Sequence, residues 1–274
     1  MFFQQFLDIE TEYRGYKKAR FVVVPVPHEA TTSYGTGAKR GPDAILRASR
    51  HIENFDEELG CEIYRQAPIH TLQPVAVKRL ESRIAALLRD EKIPVILGGE
   101  HSLTTLGLKP IKKFYNNISV LQLDAHADLR DSYQGRKDSH ACVMRRVLEI
   151  CPAVQVGQRS ISGEEWKFAK KTGQFRKIHW AGKLRALPEI VRQLSSNVYI
   201  SIDVDVFDPG IVPAVGTPEP GGLSWYEVLE ILKKVCSAKN VVGFDVVELS
   251  PRRDDLVSDF TVAKLVYKLM GYVS

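Results

Sequence analysis

Six side chains in three short stretches have the residue types of a divalent-metal centre. His101 follows Gly98-Gly99-Glu100. Asp124, His126 and Asp128 alternate through Asp124-Ala125-His126-Ala127-Asp128. Asp203 and Asp205 alternate through Ser201-Ile202-Asp203-Val204-Asp205, which runs on to Asp208-Pro209. Alternate positions of an extended chain share one face, so each alternating set is predicted to project to one side if the extended geometry continues. Like charges ~4 Å apart at an effective dielectric of ~20 repel by about 4 kcal/mol, so four carboxylates in one crevice need compensation. Two divalent cations would supply four positive charges against those four carboxylates. A mixed oxygen and imidazole set suits Mn²⁺, Fe²⁺ or Zn²⁺ better than a thiolate-seeking ion. Each motif alone can be read as a strand end or a helix cap. The three together are hard to explain without metal.

These stretches need elements to hold them. Each follows or ends a short apolar run: Pro94–Leu97 before His101, Ile118–Leu123 before Asp124, and the run from Asn197 that reaches Asp203. Phe21–Val24, Ala153–Val156 and Val241–Val247 are runs of the same kind. Runs this continuous suit strands buried on both faces of a parallel sheet. Helical patterns lie between them. Pro42-Asp43 opens PDAILRAS as a first turn, VKRLESRIAALL keeps helical spacing from Val77 to Leu88, and Ser224 with Glu227 reads as a capping box before VLEILKKV. A further apolar stripe runs from Ser258 to Leu269. This alternation predicts one α/β domain over residues 1–274, a three-layer αβα arrangement with a central, mostly parallel sheet. Ligands of such sheets bind beyond the carboxyl ends of the strands, where the six side chains fall.

Composition narrows the function classes. The 274 residues are 44% hydrophobic and carry 38 basic against 33 acidic side chains, a formal charge of +5. These are globular proportions. The basic surplus is dispersed; Arg252-Arg253 is followed at once by Asp254-Asp255. A solvated surface is therefore expected, not a nucleic-acid partner. No apolar run is long enough to span a membrane, and the N-terminal MFFQQFLDIE is too polar for a signal peptide, so a cytoplasmic location is the default expectation. Cys61, Cys142, Cys151 and Cys236 lack CxxC spacing and read as reduced thiols.

At these residues the chain resembles the ureohydrolases, the arginase and agmatinase superfamily. The matching pieces are Gly98–Ser102, Asp124–Asp128, Ser201–Pro209, Gly216–Gly222 (GTPEPGG) and Asp245–Pro251 (DVVELSP), in that order. Glu100 departs from the pattern, since Asp is common before this His; it is not expected to be a ligand. The resemblance implies an arginase-like fold, a centre of two Mn²⁺ per chain, and a homo-trimer or homo-hexamer. It implies that one metal takes His101, Asp124, Asp128 and Asp203, and the other His126, Asp124, Asp203 and Asp205, with Asp124 and Asp203 bridging.

The chemistry follows from the substrate that the resemblance implies. A guanidinium is a poor electrophile, because its charge spreads over three nitrogens. Its hydrolysis needs hydroxide, and divalent metal lowers the pKa of a water it holds from roughly 15.7 to about 7. Asp128 is expected to orient that nucleophile. Glu248 matches the family carboxylate that holds the substrate cation, and a carboxylate–guanidinium pair orients as well as binds. Thr217 is a candidate hydroxyl near the same group. His140, in Asp138-Ser-His-Ala141, matches the family histidine that moves the proton to the leaving amine, a task suited to a group titrating near neutrality.

The loop Leu129–Ser139 (LRDSYQGRKDS) is expected to form the entrance and looks like agmatinase loops, as does the stretch from Thr217. Glu219 is either a negative group near the site or a turn residue, and Arg130 and Lys137 oppose an acidic rim unless they point outward. The expected reaction converts agmatine and water to putrescine and urea. The alternatives are another ureohydrolase acting on arginine, a guanidino acid or formiminoglutamate; a metal-dependent deacetylase on the same fold, disfavoured because all six ligands are retained; and a non-catalytic protein on the same scaffold.

Overall fold

The computed structural model describes residues 4–183 and 187–274, so the first three residues of the N-terminal stretch lie outside it. The strands are β1 (Phe21–Val26), β2 (Phe55–Asp56), β3 (Cys61–Glu62), β4 (Ile69–Thr71), β5 (Ile93–Gly98), β6 (Ile118–Leu123), β7 (Ala153–Gln158), β8 (Ile178–Trp180), β9 (Asn197–Asp203) and β10 (Asn240–Val247). The helices are α1 (Gly41–Ser49), α2 (Ile63–Gln66), α3 (Leu80–Arg89), α4 (Leu103–Phe114), α5 (Val143–Ile150), α6 (Gly163–Thr172), α7 (Leu187–Gln193), α8 (Trp225–Ala238) and α9 (Leu256–Val273).

Eight strands form one sheet in the order β4-β1-β5-β10-β9-β6-β7-β8, and every pairing in it is parallel. The short β2–β3 pair is a separate antiparallel hairpin. Alternate residues feed two cores. Phe21, Val23, Leu121, Ile200 and Ile202 face the layer built by α1, α7, α8 and α9, while Val22, Val24, Val120 and Tyr199 face α3, α4, α5 and α6. Both faces are covered, which is why the strands read as unbroken Val/Ile runs instead of alternating ones.

The six predicted runs are six of the eight sheet strands. The other two, β4 and β8, are three-residue edge strands. Pro42 sits in the first turn of α1, and Ser224 and Glu227 form the reciprocal cap on α8. A second such cap, Ser162 with Glu165, starts α6.

Topology positions the chemistry. The contiguous strands β5, β10, β9 and β6 are far apart in sequence but end along one edge of the sheet. Val247 is level with Asp203, and Leu123 with Ile202, so Glu248, Asp203 and Asp124 emerge at nearly one height. Gly98-Gly99 carries β5 into the loop before α4. A Cβ on Gly99 would overlap the carbonyl oxygen of His28, so only glycine lets these two backbone segments lie together.

Candidate metal centre

The structure brings the six side chains together at that edge. Two groups have donor atoms close enough to share an ion: His101, Asp124 and Asp128, and Asp124, His126 and Asp205. Asp124 belongs to both. Asp203 Oδ2 lies 3.5 Å from His101 Nδ1, beside the first group. Asp203 Oδ1 accepts the N–H of Asp205, fixing the turn between the two.

The residues picked out by spacing converge, but the chain does not stay extended. β6 ends at Leu123, and Asp128 has φ +51°, in the left-handed region. Glu248 is left-handed too, at φ +66°. For a residue other than glycine, such backbone costs of order 1–3 kcal/mol and persists only where its surroundings fix it. At Glu248 they do: its N–H donates to the carbonyl of Gly99, and its Oε1 accepts the N–H of His101 at 2.6 Å. Glu248 thus stands over the start of α4 with its second oxygen free of that contact.

His101 supplies the test of whether metal fits. Ser201 Oγ donates to Asp245 Oδ1 at 2.7 Å, so toward His101 Nε2, 2.9 Å away, it acts as acceptor. Nε2 therefore carries a hydrogen, and Nδ1 is the nitrogen left to take a metal ion or a second proton. That Nδ1 is buried and has no hydrogen-bond partner, yet carboxylate oxygens of Asp124 and Asp128 stand 3.1 and 3.2 Å from it. Carboxylates at that range require positive charge at Nδ1, from a bound metal ion or, without one, from a proton, which the burial of the ring opposes but these carboxylates favour. The oxygen and imidazole donors fit a divalent ion.

Without metal, protons fill this role. Burial first, then the charges of Asp205 and Asp128, push Asp124 up to about 8, and burial with Asp205 and Asp124 pushes Asp203 well above the carboxylate range. Burial opposes a charged His126, but the carboxylate of Asp205 prevails and raises it to about 11. The same bond holds Asp205 low against its burial. Burial and Asp203 push Glu248 well up.

The sign of the linkage is fixed by these shifts. Between Asp124's ordinary 3.8 and about 8, and between His126's ordinary 6.5 and about 11, the folded metal-free chain binds more protons than the unfolded one. Its stability therefore falls as pH rises through both windows. Loaded protein is held by ions that bind more tightly as their ligands deprotonate. The melting-temperature gap between manganese-loaded and EDTA-treated protein is thus expected to widen from pH 6 to pH 9, by on the order of 5 °C. Thermal melts in matched buffers measure it, and a gap that narrows would contradict the shared-proton account.

Sequence reasoning missed the support beneath the centre. One register row across the sheet reads Asp245, Ser201, Gln122 and Gln155, all buried. Gln155 donates to Gln122 Oε1, and Gln122 donates to Asp124 Oδ2, both at 2.6 Å. Asp245 also accepts from Tyr199 Oη at 2.8 Å. The signal was present: each is a polar residue inside, or ending, an otherwise apolar run. Arg159 was missed as well. Its guanidinium reaches the main-chain carbonyls of Asp205, Phe207 and Glu219, tying the Asp205 loop to the Glu219 turn.

A cavity of about 160 Å³ opens over the centre. His126, Asp128, Asp203, Asp205, His140, Thr217 and Glu248 line it, with Thr32–Gly35, Arg130 and Tyr133 toward the entrance. His101 and Asp124 are buried beneath. Glu219 is not among the lining residues; its Oε1 stands 3.8 Å from His126 Nε2 while its carbonyl holds Arg159. Lys137 points outward, 3.8 Å from Asp131. Arg130 lies over the ring of Tyr133, 5.3 Å from its centre. Residues 129–139 contain no helix and turn tightly at Gln134-Gly135.

This arrangement has relatives. The Arginase family model matches residues 19–271. The chain belongs to the arginase family. The N(1)-aminopropylagmatine ureohydrolase of Synechocystis sp. is 40% identical, the alignment covering 98% of this chain and 94% of that protein. An agmatinase of Pyrococcus horikoshii is 36% identical over 96% of this chain and 95% of its own length. The crystal structure of an agmatine ureohydrolase of Thermoplasma volcanium superposes with a TM-score of 0.83 at 32% identity, covering 94% of this chain and 91% of that one. This arginase-family chain is therefore a ureohydrolase with an arginase-like fold. Among its described residues no helix is long and apolar enough to cross a membrane.

Proposed function

We propose that this ureohydrolase cleaves the guanidinium of agmatine, releasing urea and putrescine. The observation that carries the reading is the bare His101 Nδ1 facing Asp124 and Asp128 under a cavity walled by Glu248 and His140. In this reading His101, Asp124, Asp128 and Asp203 would hold one Mn²⁺ and His126, Asp124, Asp203 and Asp205 the other. Divalent ions there would make hydroxide available at neutral pH.

The chain's own groups do the rest. Glu248 receives the guanidinium, whose positive charge offsets the burial and the Asp203 repulsion that push this carboxyl group's pKa up. Asp128, held in its left-handed turn, accepts a hydrogen bond from the attacking water and aims it at the guanidinium carbon. Thr217 offers a hydroxyl at the cavity wall. His140 delivers the proton that the leaving amine needs. Glu219 steadies His126 in place of touching substrate. A homo-trimer or homo-hexamer accords with this family.

A second reading extends the substrate by an aminopropyl group, and it is favoured by the Synechocystis relative, which covers nearly the whole chain. Urea release with Mn²⁺ from agmatine, N(1)-aminopropylagmatine, arginine and a guanidino carboxylate separates these. The highest kcat/KM is expected for one of the first two. Urea from arginine but from neither amine would overturn the substrate assignment. No urea from any of them, with metal bound, would leave a binding protein on a hydrolase scaffold.

A further inference from the structure

Glu100, the residue that departs from the motif, is fully buried and touches no substrate-facing atom of the mechanism above. Its carboxylate is nonetheless saturated with donors. Oε2 accepts the N–H of Ala30 at 2.5 Å and of Thr31 at 2.7 Å; Oε1 accepts Thr31 Oγ1 at 2.9 Å and Ser102 Oγ at 2.6 Å. His28 Nε2 stands 3.8 Å away.

The Thr31 hydroxyl links this carboxylate to His140. A hydroxyl has one hydrogen and two lone pairs. The hydrogen goes to the carboxylate, which can only accept. Both lone pairs then serve His140: its backbone N–H donates to Thr31 Oγ1 at 3.1 Å, and its ring Nδ1 lies 3.2 Å from the same oxygen. Since Thr31 has no second hydrogen to give, Nδ1 must be the donor. The other group at Nδ1, Ser139 Oγ, is farther away at 3.4 Å.

We propose that Glu100, acting through Thr31, is a positioning residue that fixes the ring and tautomer of His140, placing the hydrogen on Nδ1 and leaving Nε2 as the nitrogen that exchanges a proton in the cavity. The inference rests on the proton-transfer role proposed for His140. The three residues come from the β1–α1 loop, the β5–α4 loop and the start of α5's leading turn, so the relay also ties the cavity's entrance segment to its wall.

Thr31→Val keeps the shape and removes the hydroxyl; Thr31→Ser keeps the hydroxyl. Both are compared with His140→Asn in full-length, manganese-loaded protein, with agmatine as the substrate, reading kcat, KM and bound metal. Thr31→Val is expected to lower kcat roughly 10- to 100-fold, part of the ~10²–10⁴-fold worth of a general acid–base. KM should stay within about twofold and metal content should not change. Thr31→Ser should recover kcat to within about threefold of the parent. A normal kcat in Thr31→Val beside a crippled His140→Asn overturns the relay and leaves His140's role standing. Equal losses in Thr31→Val and Thr31→Ser, or a loss that tracks missing metal, overturn it as well, because packing alone would then account for the effect. An active His140→Asn removes the underlying role itself.

Discussion

Asp124→Ala is expected to lose both bound metals and urea release together, with activity falling by about 10³-fold or more, the scale of removing an entire catalytic constellation. Asp124 is the one acid common to both candidate ion groups, and it is buried. Its oxygens already accept from the backbone of His126 and from Gln122, so they are held in place before any ion arrives. Removing it leaves only Asp203 to join His101 and Asp128 on one side to His126 and Asp205 on the other, too few anions to hold two ions. Metal analysis of the purified variant beside circular dichroism decides the matter: a folded protein that still carries two ions per chain would contradict the bridging assignment.

Glu248→Gln should do the opposite, keeping the metals and losing the substrate. The carboxamide oxygen can still accept the N–H of His101, so the left-handed turn is retained. The charge that receives the guanidinium is gone. Breaking a desolvated charge pair costs about 2–5 kcal/mol, which corresponds to a drop in kcat/KM of roughly 30- to 4,000-fold. Metal content and melting temperature should stay near the parent's. Steady-state kinetics with agmatine measure the drop, and a change of less than threefold would remove Glu248 from substrate binding.

The residues that make these predictions possible were legible to different degrees. The six central strands could be read because burial on both faces demands continuous Val and Ile. β4 and β8 could not, because a three-residue edge strand leaves no periodicity to detect. α4 was hidden for a related reason: Gly107 and Pro110 interrupt its helical pattern, and packing against α3 and α5 stabilises it regardless. The candidate metal-binding side chains stood out by type and spacing, yet the assumption of extended backbone fails at Asp128, whose φ is left-handed. The relay through Thr31 was invisible, since no spacing rule connects residues 31, 100 and 140. Only the parallel order of the sheet puts their loops at one edge.

The polar row under the centre has a consequence for how such an enzyme can change. Asp245, Ser201, Gln122 and Gln155 touch neither solvent nor, by their position, the reacting molecule, yet two hydrogen-bonded paths lead from them to His101 and Asp124. Substitutions in this stratum would adjust the electron-donating strength of a ligand while its identity stays the same. Selection for a different ion, or for work at a different acidity, has a place to act there that leaves the recognition of substrate undisturbed.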